Sequence, residues 1–256
     1  MAIVDPYDAI LLDLDGVLYL GDRAIPGAAE AVARMRLLGK RVAFVTNNSS
    51  RTPEEVAGKL SALGVPADPT EVETSALATA DLLSARGTRT AFVVGDRGIR
   101  EALELVGIQV LDGDPQGVDV VVVGFDSKVD YGKLARASLL VGAGAALVAT
   151  NADASYPTPE GEVPGAGALL ASIETTTGSS AEVIGKPHPP LLEAALAKVG
   201  GGLPLLVGDR IDTDIVGAAS LGWDSVLVLT GVSGRDDLTD DTTRPTYVVS
   251  ALSELF

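Results

Sequence analysis

The chain alternates short apolar runs with longer segments in which apolar residues recur at helical spacing. The apolar runs are rich in β-branched residues, a pattern typical of parallel strands that are buried on both faces. They predict strands at 9–14, 41–46, 90–94, 118–124, 146–150, 203–208, 225–229 and 246–249. The segments between them predict helices at 27–38, 53–63, 75–85, 97–106, 131–141, 166–175, 190–199 and 214–221. This alternation indicates an α/β fold in which right-handed crossovers join parallel strands.

Four glycines follow predicted helices at the points where those helices are expected to end. Gly39, Gly64, Gly107 and Gly200 can each adopt the left-handed conformation that terminates a helix, because glycine lacks a Cβ. At the other end of a helix, Pro53 follows a threonine and precedes two glutamates, which is typical of a first turn.

Two short segments, at 84–88 and 175–180, interrupt the pattern. Both are rich in small or polar residues, which are typical of joints between folded units. The β/α pattern between them is long enough to fold as a unit of its own. A single continuous sheet is the alternative, and these two segments alone do not exclude it.

Composition restricts the class of protein. A hydrophobic content of 46% across 256 residues is enough for a substantial core and argues against extended disorder. The formal net charge of −16 disfavours binding to nucleic-acid backbones or anionic membrane surfaces, both of which recruit basic patches. The absence of cysteine excludes disulfides and thiolate metal sites.

The lengths of the apolar runs also indicate where in the cell the protein is located. The first residues lack the basic stretch followed by an apolar segment that defines a signal peptide. The longest apolar runs, such as 118–125, are far shorter than a membrane span. We therefore expect a cytoplasmic protein with no nucleic-acid partner and no membrane association.

Candidate chemistry begins where the first predicted strand ends. Asp13 and Asp15, followed by Gly16, come at the end of an apolar run. In an open α/β sheet, ligands bind beyond the carboxyl ends of the strands. Two carboxylates this close repel each other unless a cation lies between them or one holds a proton. The pair therefore indicates a divalent-cation site or an acid beside a nucleophile, although Asp-x-Asp-Gly is also a common turn sequence.

Two further segments carry neutral donors and a positive charge. Thr46 begins a run of hydroxyl and amide side chains, including Asn47 and Asn48, that offers donors to phosphate oxygens or simply precedes the next helix. Lys186 lies between a glycine and a proline, in a rigid loop that would direct its ammonium group to a fixed place. His188, the only histidine, lies between prolines and is interpreted as a loop residue rather than as a catalytic base.

A second group of acids follows the strand predicted at 203–208. It consists of Asp209, Asp212 and Asp214. Oxygen ligands on short side chains suit a hard, octahedral cation such as Mg²⁺. The alternative is a strand-to-helix turn in which Asp212 or Asp214 caps the helix.

Together these four segments, in this order, resemble the motifs of the haloacid dehalogenase superfamily. They read Asp-Leu-Asp-Gly-Val from Asp13, Thr-Asn-Asn-Ser from Thr46, Gly-Lys-Pro-His-Pro from Gly185 and Gly-Asp-Arg-Ile-Asp-Thr-Asp from Gly208. The chain is similar in particular to the 4-nitrophenylphosphatase-like branch, whose members carry a large α/β cap between the second and third motifs.

The similarity to this branch extends over nearly the whole chain. The segments 150–153 and 161–167 also resemble sequences of the branch. The resemblance implies a Rossmann-like parallel-sheet core, formed by residues 1–86 and 179–256, with an α/β cap domain at 87–178 inserted in it.

The resemblance also implies a role for each motif residue. Asp13 would be the nucleophile that forms an aspartyl-phosphate, and Asp15 would protonate the leaving alcohol and then activate water. Lys186 would be the third catalytic residue. The implied Mg²⁺ site consists of Asp13, Asp15 through its backbone carbonyl, and Asp209, with Asp214 acting through a metal-bound water or by orienting other groups. The implied phosphate- and substrate-binding residues are Thr46, Asn47, Asn48 and Lys186, with Asn151 and Asp153 on the cap side of the pocket or, alternatively, in a tight turn.

We therefore expect a magnesium-dependent phosphatase that hydrolyses small phosphomonoesters, such as glycerol 3-phosphate or a related metabolite. A bound cation and Lys186 would reverse the repulsive effect of the −16 charge at the site. The alternatives are a phosphotransferase that uses the same intermediate and a phosphatase of nucleotides or sugar phosphates. A signalling receiver is disfavoured by the large insertion and by Asp15, and a dinucleotide-binding module by the lack of Gly-x-Gly-x-x-Gly after a strand. The oligomeric state is open, with a homodimer among the options.

Overall fold

The computed structural model describes residues 2–158, 161–239 and 243–256. By its internal contacts the chain divides into two compact units. The first unit consists of Met1–Thr46, Pro53–Glu73 and Lys186–Phe256, and the second of Asn47–Thr52 and Thr74–Gly185.

The two units contain the following regular elements. The α-helices are α1 (Ala28–Leu37), α2 (Pro53–Ala62), α3 (Ser75–Ala85), α4 (Arg97–Leu105), α5 (Tyr131–Gly142), α6 (Ala166–Thr177), α7 (Pro189–Lys198) and α8 (Val216–Ser220). The strands are β1 (Ala9–Leu12), β2 (Tyr19–Leu20), β3 (Arg23–Ala24), β4 (Arg41–Thr46), β5 (Val72–Thr74), β6 (Thr90–Val94), β7 (Gln109–Val110), β8 (Val120–Val123), β9 (Ala146–Ala149), β10 (Ser155–Thr158), β11 (Gly161–Pro164), β12 (Glu182–Val183), β13 (Pro204–Gly208), β14 (Asp224–Val228) and β15 (Tyr247–Val249).

The first unit is built on a six-stranded sheet in the order β15-β14-β13-β1-β4-β5. The pairs that β1 makes with β13 and β4 are parallel, as are those of β14 with β13 and β15. All four residues of β1 are buried, as its uninterrupted apolar sequence predicts. From β1 the chain continues to β4 on one side and later to β13 on the other. The point between β1 and β13 is therefore a topological switch point, where open α/β sheets bind ligands.

The second unit is built on a five-stranded sheet in the order β12-β9-β8-β6-β7. All four strand pairs in this sheet are parallel. β8 is a run of four buried valines, which suits a central strand covered on both faces. The unit also contains an antiparallel hairpin formed by β10 and β11.

Each unit has its own hydrophobic core. In the first unit, Leu12 of β1 and Val207 of β13 belong to one buried cluster with Met35 of α1. In the second unit, Val121 of β8 packs in a separate cluster with Ile173 of α6. Since the strands that lead to the acidic motifs are fully buried, the core fixes the positions of the residues that follow them.

The structure contains a strand at each of the eight locations predicted for strands and a helix at each of the eight predicted for helices, and the α/β fold class is confirmed. Gly39, Gly64, Gly107 and Gly200 all have positive φ angles, between 71° and 85°, as expected of residues that end helices. Among the residues that the structure describes, no helix is both long enough and apolar enough to cross a membrane.

Several short elements were not predicted, and all of them lack a sustained apolar pattern. They are the hairpin β2–β3, the hairpin β10–β11, and the strands β5, β7 and β12. The chain also crosses from the first unit to the second before α3. The resemblance implies a first part of the core that extends to residue 86, whereas α3 belongs to the second unit.

Candidate active site

Asp13 and Asp209 lie at the switch point of the first unit's sheet. Asp13 directly follows β1, and its backbone N–H donates to the carbonyl oxygen of Val207 in β13 at 2.9 Å. Asp209 directly follows β13. Because β1 and β13 are adjacent and parallel, their carboxyl ends bring both side chains to one edge of the sheet.

Three carboxylates form a compact cluster at this edge. Asp13, Asp209 and Asp214 each contribute an oxygen, and these oxygens lie within 4.8 Å of one another. Asp214 comes from a π-helical turn, Ile211–Ile215, and its side chain is fully buried. Its Oδ2 accepts a hydrogen bond from the backbone N–H of Arg210 at 3.1 Å. π-helical turns of this kind are frequent at functional sites.

Lys186 provides a positive charge inside the cluster. Its Nζ lies 2.6 Å from Oδ1 of Asp13 and 2.7 Å from Oδ1 of Asp214, and the lysine side chain is 3% exposed. When all four groups are ionised, three carboxylates and one ammonium leave two negative charges. A buried excess of charge is unfavourable unless another ion balances it. The cluster therefore has the charge that one divalent cation would neutralise.

The same electrostatics govern the pKa values of the cluster. Burial raises the pKa of Asp13 well above its ordinary value; Lys186 opposes this shift, and Asp214 adds to it. Burial and the charge of Asp214 raise the pKa of Asp209 to about 6, although the backbone N–H of Val232 works against them. Burial would lower the pKa of Lys186, but Asp13 and Asp214 outweigh burial and raise it. A cation among these carboxylates would favour their charged forms.

The two oxygens of Asp209 have different surroundings. Oδ2 accepts a hydrogen bond from the backbone N–H of Val232 at 2.7 Å. Oδ1 is buried and has no hydrogen-bond partner among the described residues. A buried carboxylate oxygen without a donor is costly, and a metal ion is one of the few groups that can satisfy it. This oxygen and the all-oxygen donor set fit a hard divalent cation such as Mg²⁺.

Asp15 is exposed and lies in the turn that follows β1. The N–H of Gly16 donates to the carbonyl oxygen of Tyr19 at 2.8 Å. Since the peptide bond is planar and trans, the Asp15 carbonyl points the opposite way from that N–H. Gly16 has a φ of 79°, and a Cβ at this position would overlap the Asp209 carboxylate. Only glycine permits both the turn and this close approach.

Thr46 is the buried last residue of β4, and the loop after it belongs to the second unit. In this loop, Oδ1 of Asn48 accepts hydrogen bonds from the backbone N–H and the hydroxyl of Ser50, at 2.8 and 2.6 Å. The side-chain oxygen of Asn48 is therefore used inside the loop, in the manner of an Asx turn.

Asn151 and Asp153 follow β9 in the second unit. Asn151 is 4% exposed, and its Nδ2 donates to the backbone carbonyl oxygen of Asn47 at 2.7 Å. The hydroxyl of Ser75 donates to the same oxygen at 2.6 Å. Oδ1 of Asn151 accepts from the backbone N–H of Asp153 at 3.1 Å, which orients the amide. Asn151 therefore holds the backbone of Asn47.

Two residues that the sequence analysis considered lie outside the carboxylate cluster. Asp212 is exposed and forms an ion pair with Arg210 at 2.7 Å. Neither Asp212 nor Asp214 caps a helix, since Arg210 precedes the π-helical turn and Ile215 precedes α8. His188 is exposed and immediately precedes α7.

The segment after β14 contacts the acidic motifs, although none of the four motifs includes it. Thr230 donates to the backbone carbonyl oxygen of Gly16, and Val232 donates to Asp209. The sequence feature that could have pointed to this segment is the Thr230-Gly231 pair, which follows the buried strand β14 at the same edge of the sheet.

Two family models match the chain. A model of haloacid dehalogenase-like hydrolases matches residues 10–109, and a HAD-hydrolase-like model matches residues 183–255. The first match contains the Asp13 and Thr46 motifs, and the second contains the Lys186 and Asp209 motifs.

The chain is similar over nearly its full length to characterised proteins and solved structures. It is 40% identical to an acid sugar phosphatase of Staphylococcus haemolyticus, a match that covers 97% of each chain. It is 37% identical to a glycerol phosphate phosphatase from Mycobacterium tuberculosis solved in complex with magnesium, with a TM-score of 0.94 over 99% of this chain and 78% of that one. It is 35% identical to a 4-nitrophenylphosphatase from Thermotoga maritima, with a TM-score of 0.92 over 100% of this chain and 98% of the other.

Sequence identities of 35% to 40% over most of both chains show that these proteins are homologous. The chain belongs to the haloacid dehalogenase-like hydrolase family. Its fold is that of the family: a parallel-sheet core into which a second α/β unit is inserted along the chain.

Proposed function

We propose that this protein is a magnesium-dependent phosphatase that hydrolyses small phosphomonoesters through an aspartyl-phosphate intermediate. The observation that carries the proposal is the buried cluster of Asp13, Asp209 and Asp214 around Lys186. Its charge, its oxygen donors and its position at the switch point suit a divalent cation and a phosphoryl group. The names of the relatives, an acid sugar phosphatase and a glycerol phosphate phosphatase, support the same activity.

In this proposal Asp13 is the nucleophile. One of its carboxylate oxygens attacks phosphorus, and the bond between phosphorus and the ester oxygen breaks in line with the attack. The product is a phosphoryl group on Asp13 and a free alcohol. Covalent catalysis by a carboxylate divides one difficult displacement into two easier ones.

Asp15 is proposed as the general acid and base. It gives a proton to the departing ester oxygen in the first step. In the second step it takes a proton from the water that attacks the phosphoryl group, which releases phosphate and restores Asp13. The exposed position of Asp15, outside the carboxylate cluster, suits a group that exchanges protons with the leaving alcohol and with water.

The residues that would hold Mg²⁺ are Asp13, Asp209 and the backbone carbonyl of Asp15. Asp214 would orient Lys186 and the metal-bound water, because its carboxylate is already bonded to Lys186 and to the backbone N–H of Arg210. When bound, the cation neutralises negative charge that develops on the transferring phosphoryl group.

Phosphate binding is assigned to the remaining motif residues. Lys186 would bind a phosphoryl oxygen while it holds Asp13. The hydroxyl of Thr46 and the backbone N–H of Asn47 would donate to the other oxygens. Asn48 acts through the shape of its loop, since its side-chain oxygen accepts from Ser50. These donors provide local positive potential in a chain whose formal net charge is −16.

The substrate is proposed to be a small phosphorylated metabolite, with sugar phosphates and glycerol 3-phosphate as the first candidates. Asp153 is a candidate for contact with the substrate's alcohol portion, because its side chain is partly exposed at the end of β9. We also propose a cytoplasmic location, and a homodimer as one assembly to test.

The proposal is tested by phosphate release from a panel of phosphomonoesters, measured with Mg²⁺ and with EDTA. The panel contains glycerol 3-phosphate, several sugar phosphates, nucleoside monophosphates and 4-nitrophenyl phosphate. We expect release that requires Mg²⁺ and is strongest for one class of small metabolite. Added alcohol acceptors separate hydrolysis from phosphotransfer. Absence of release from every compound, in protein that melts cooperatively, would overturn the proposal.

Replacing Asp209 by asparagine should weaken Mg²⁺ binding by at least about tenfold, because it removes the charge of a proposed ligand. The measurement is the Mg²⁺ concentration that gives half-maximal phosphate release. Asp212→Asn is the matched control, since Asp212 lies in the π-helical turn just after Asp209 but outside the cluster. An unchanged Mg²⁺ requirement in Asp209→Asn would place the ligand elsewhere.

Replacing Asn151 by aspartate should raise the KM for phosphomonoesters and the inhibition constant of inorganic phosphate about tenfold, through loss of a buried hydrogen-bond donor. The side chain keeps its shape but no longer donates to the Asn47 carbonyl. Thr79→Val is a control for stability, because it also removes one buried hydrogen bond, from the Thr79 hydroxyl to the backbone carbonyl oxygen of Ser75. If phosphate inhibits Asn151→Asp as strongly as it inhibits the wild type, Asn151 does not position this loop.

A further inference from the structure

The loop that follows β14, residues 230–233, bonds to both acidic motifs of the first unit. The hydroxyl of Thr230 donates to the carbonyl oxygen of Gly16 at 2.6 Å. The backbone N–H of Val232 donates to Oδ2 of Asp209 at 2.7 Å, and that of Ser233 to the Asp209 carbonyl oxygen at 3.0 Å. One short loop therefore joins the turn that carries Asp15 to the residue that follows β13.

Within this loop, Gly231 lies against the Asp209 carboxylate. A Cβ at position 231 would overlap Oδ2 of Asp209, and a Cβ at Gly16 would overlap the same oxygen. The carboxylate is thus enclosed by two glycines. Gly231 does not have a positive φ, so an alanine at this position would be excluded by Asp209 and not by its own backbone.

The loop also decides which oxygen of Asp209 remains for a ligand. Val232 occupies Oδ2, while Oδ1 is buried and accepts no hydrogen bond from the described residues. The hydroxyl of Ser233 accepts from the backbone N–H of Ile211 at 3.1 Å, which anchors the loop to the π-helical turn. Asp209 is therefore held at its main chain and at one carboxylate oxygen, which leaves the other oxygen for a ligand.

We propose that residues 230–233 are a positioning element that fixes both the metal ligand Asp209 and the turn carrying the general acid Asp15. Gly231 and Thr230 are the two residues on which this role depends. Gly231 acts by leaving space for the Asp209 carboxylate. Thr230 acts by holding the carbonyl of Gly16. The inference rests on the proposed function, because it assigns Asp209 to Mg²⁺ and Asp15 to proton transfer.

Gly231→Ala tests the metal side of the inference by calorimetric titration of Mg²⁺ into EDTA-treated, dialysed protein, a measurement that does not depend on turnover. We expect an affinity about 10- to 100-fold weaker than that of the wild type, the loss typical of removing a group that orients a metal ligand. Gly58→Ala is the matched control, because Gly58 lies in α2 and a Cβ there meets no atom within 4 Å. Thermal melting of each variant shows that it is folded.

Two substitutions of Thr230 test whether this residue positions the turn that carries Asp15 for proton transfer. Thr230→Val loses the bond to Gly16, and Thr230→Ser keeps a hydroxyl that can form it. We expect Thr230→Val to slow the first step, formation of the aspartyl-phosphate measured by rapid quench, about tenfold for an alkyl phosphate, as one lost hydrogen bond allows, and much less for 4-nitrophenyl phosphate. The nitrophenolate leaving group needs no proton in this step, whereas hydrolysis of the intermediate needs Asp15 equally for both substrates. We expect Thr230→Ser to restore most of the loss.

The outcomes separate this inference from the proposed function. If the wild type neither binds Mg²⁺ nor releases phosphate, the proposed function fails. If the wild type does both while Gly231→Ala binds Mg²⁺ as tightly as the wild type, the positioning role is wrong. The same conclusion follows if Thr230→Ser is as impaired as Thr230→Val, or if the first step slows equally for both substrates, since either result indicates a general structural role.

Discussion

Replacing Asp13 by asparagine is expected to abolish phosphate release and to leave the protein folded. The Asp13 carboxylate is the attacking group in the proposed mechanism, and an amide cannot replace it as a nucleophile. Turnover should fall by roughly four orders of magnitude or more, the scale of loss seen when a covalent nucleophile is removed. The melting temperature should not fall greatly, because the substitution also removes one of three clustered carboxylates.

The matched control for this variant is Asp212→Asn. Asp212 is an exposed acid in the π-helical turn beside the cluster, and its partner is Arg210. Its loss should change turnover by less than about twofold, since exposed ion pairs contribute little. Substantial phosphate release by folded Asp13→Asn would contradict the assignment of the nucleophile.

Replacing Lys186 by methionine is expected to remove activity and to lower the free energy of unfolding by about 3 to 5 kcal/mol near neutral pH, as for other broken buried ion pairs. The lysine contacts two buried carboxylates, Asp13 and Asp214, and methionine would leave both without their cation. Denaturant unfolding in EDTA measures the effect. The matched control is Arg86→Met, which removes an exposed pair with Glu182 and should cost less than about 1 kcal/mol.

The loss in Lys186→Met should shrink as the pH falls. Burial already raises the pKa of Asp13 above its ordinary value in the wild type, and removal of the ammonium raises it further. A group with a raised pKa in the folded state favours folding at low pH, and this contribution is lost as the pH rises through that pKa. A deficit that is constant from acidic to neutral pH would contradict the electrostatic account.

The sequence was sufficient to predict where the acids of the first unit would meet. Asp13 and Asp209 each follow an uninterrupted apolar run, which placed both at the carboxyl ends of buried strands, and the resemblance implied that the two acids share one site. The hydrophobic pattern therefore indicated both the fold class and the location of the candidate site.

Which of the two later acids in the fourth motif points into the site could not be predicted from spacing. Asp212 and Asp214 are two residues apart in a π-helical turn, and the direction of each side chain depends on that turn. Asp214 is buried against Lys186, whereas Asp212 is exposed beside Arg210. A helix-period reading of this segment gave no reason to prefer one over the other.

Contacts between segments that are distant in the sequence could not be predicted either. The hydrogen bonds from Thr230 to Gly16 and from Val232 to Asp209 join residues far apart in sequence, and no local sequence pattern predicts them. The sequence likewise gave no sign of the bond from the Asn151 side chain, a candidate for the cap side of the pocket or a tight turn, to the backbone of Asn47. Such contacts depend on the packed fold rather than on local propensity.

The central claim, an aspartyl-phosphate on Asp13, is tested most directly by rapid-quench analysis of Asp15→Asn with 4-nitrophenyl phosphate and Mg²⁺. The nitrophenolate leaves without a proton, but hydrolysis of the intermediate lacks its general base, so the intermediate should accumulate. The account predicts a burst of about one nitrophenolate per protein molecule and a phosphoryl group on the peptide containing Asp13. Turnover without a burst, or a phosphoryl group on any other residue, would contradict it.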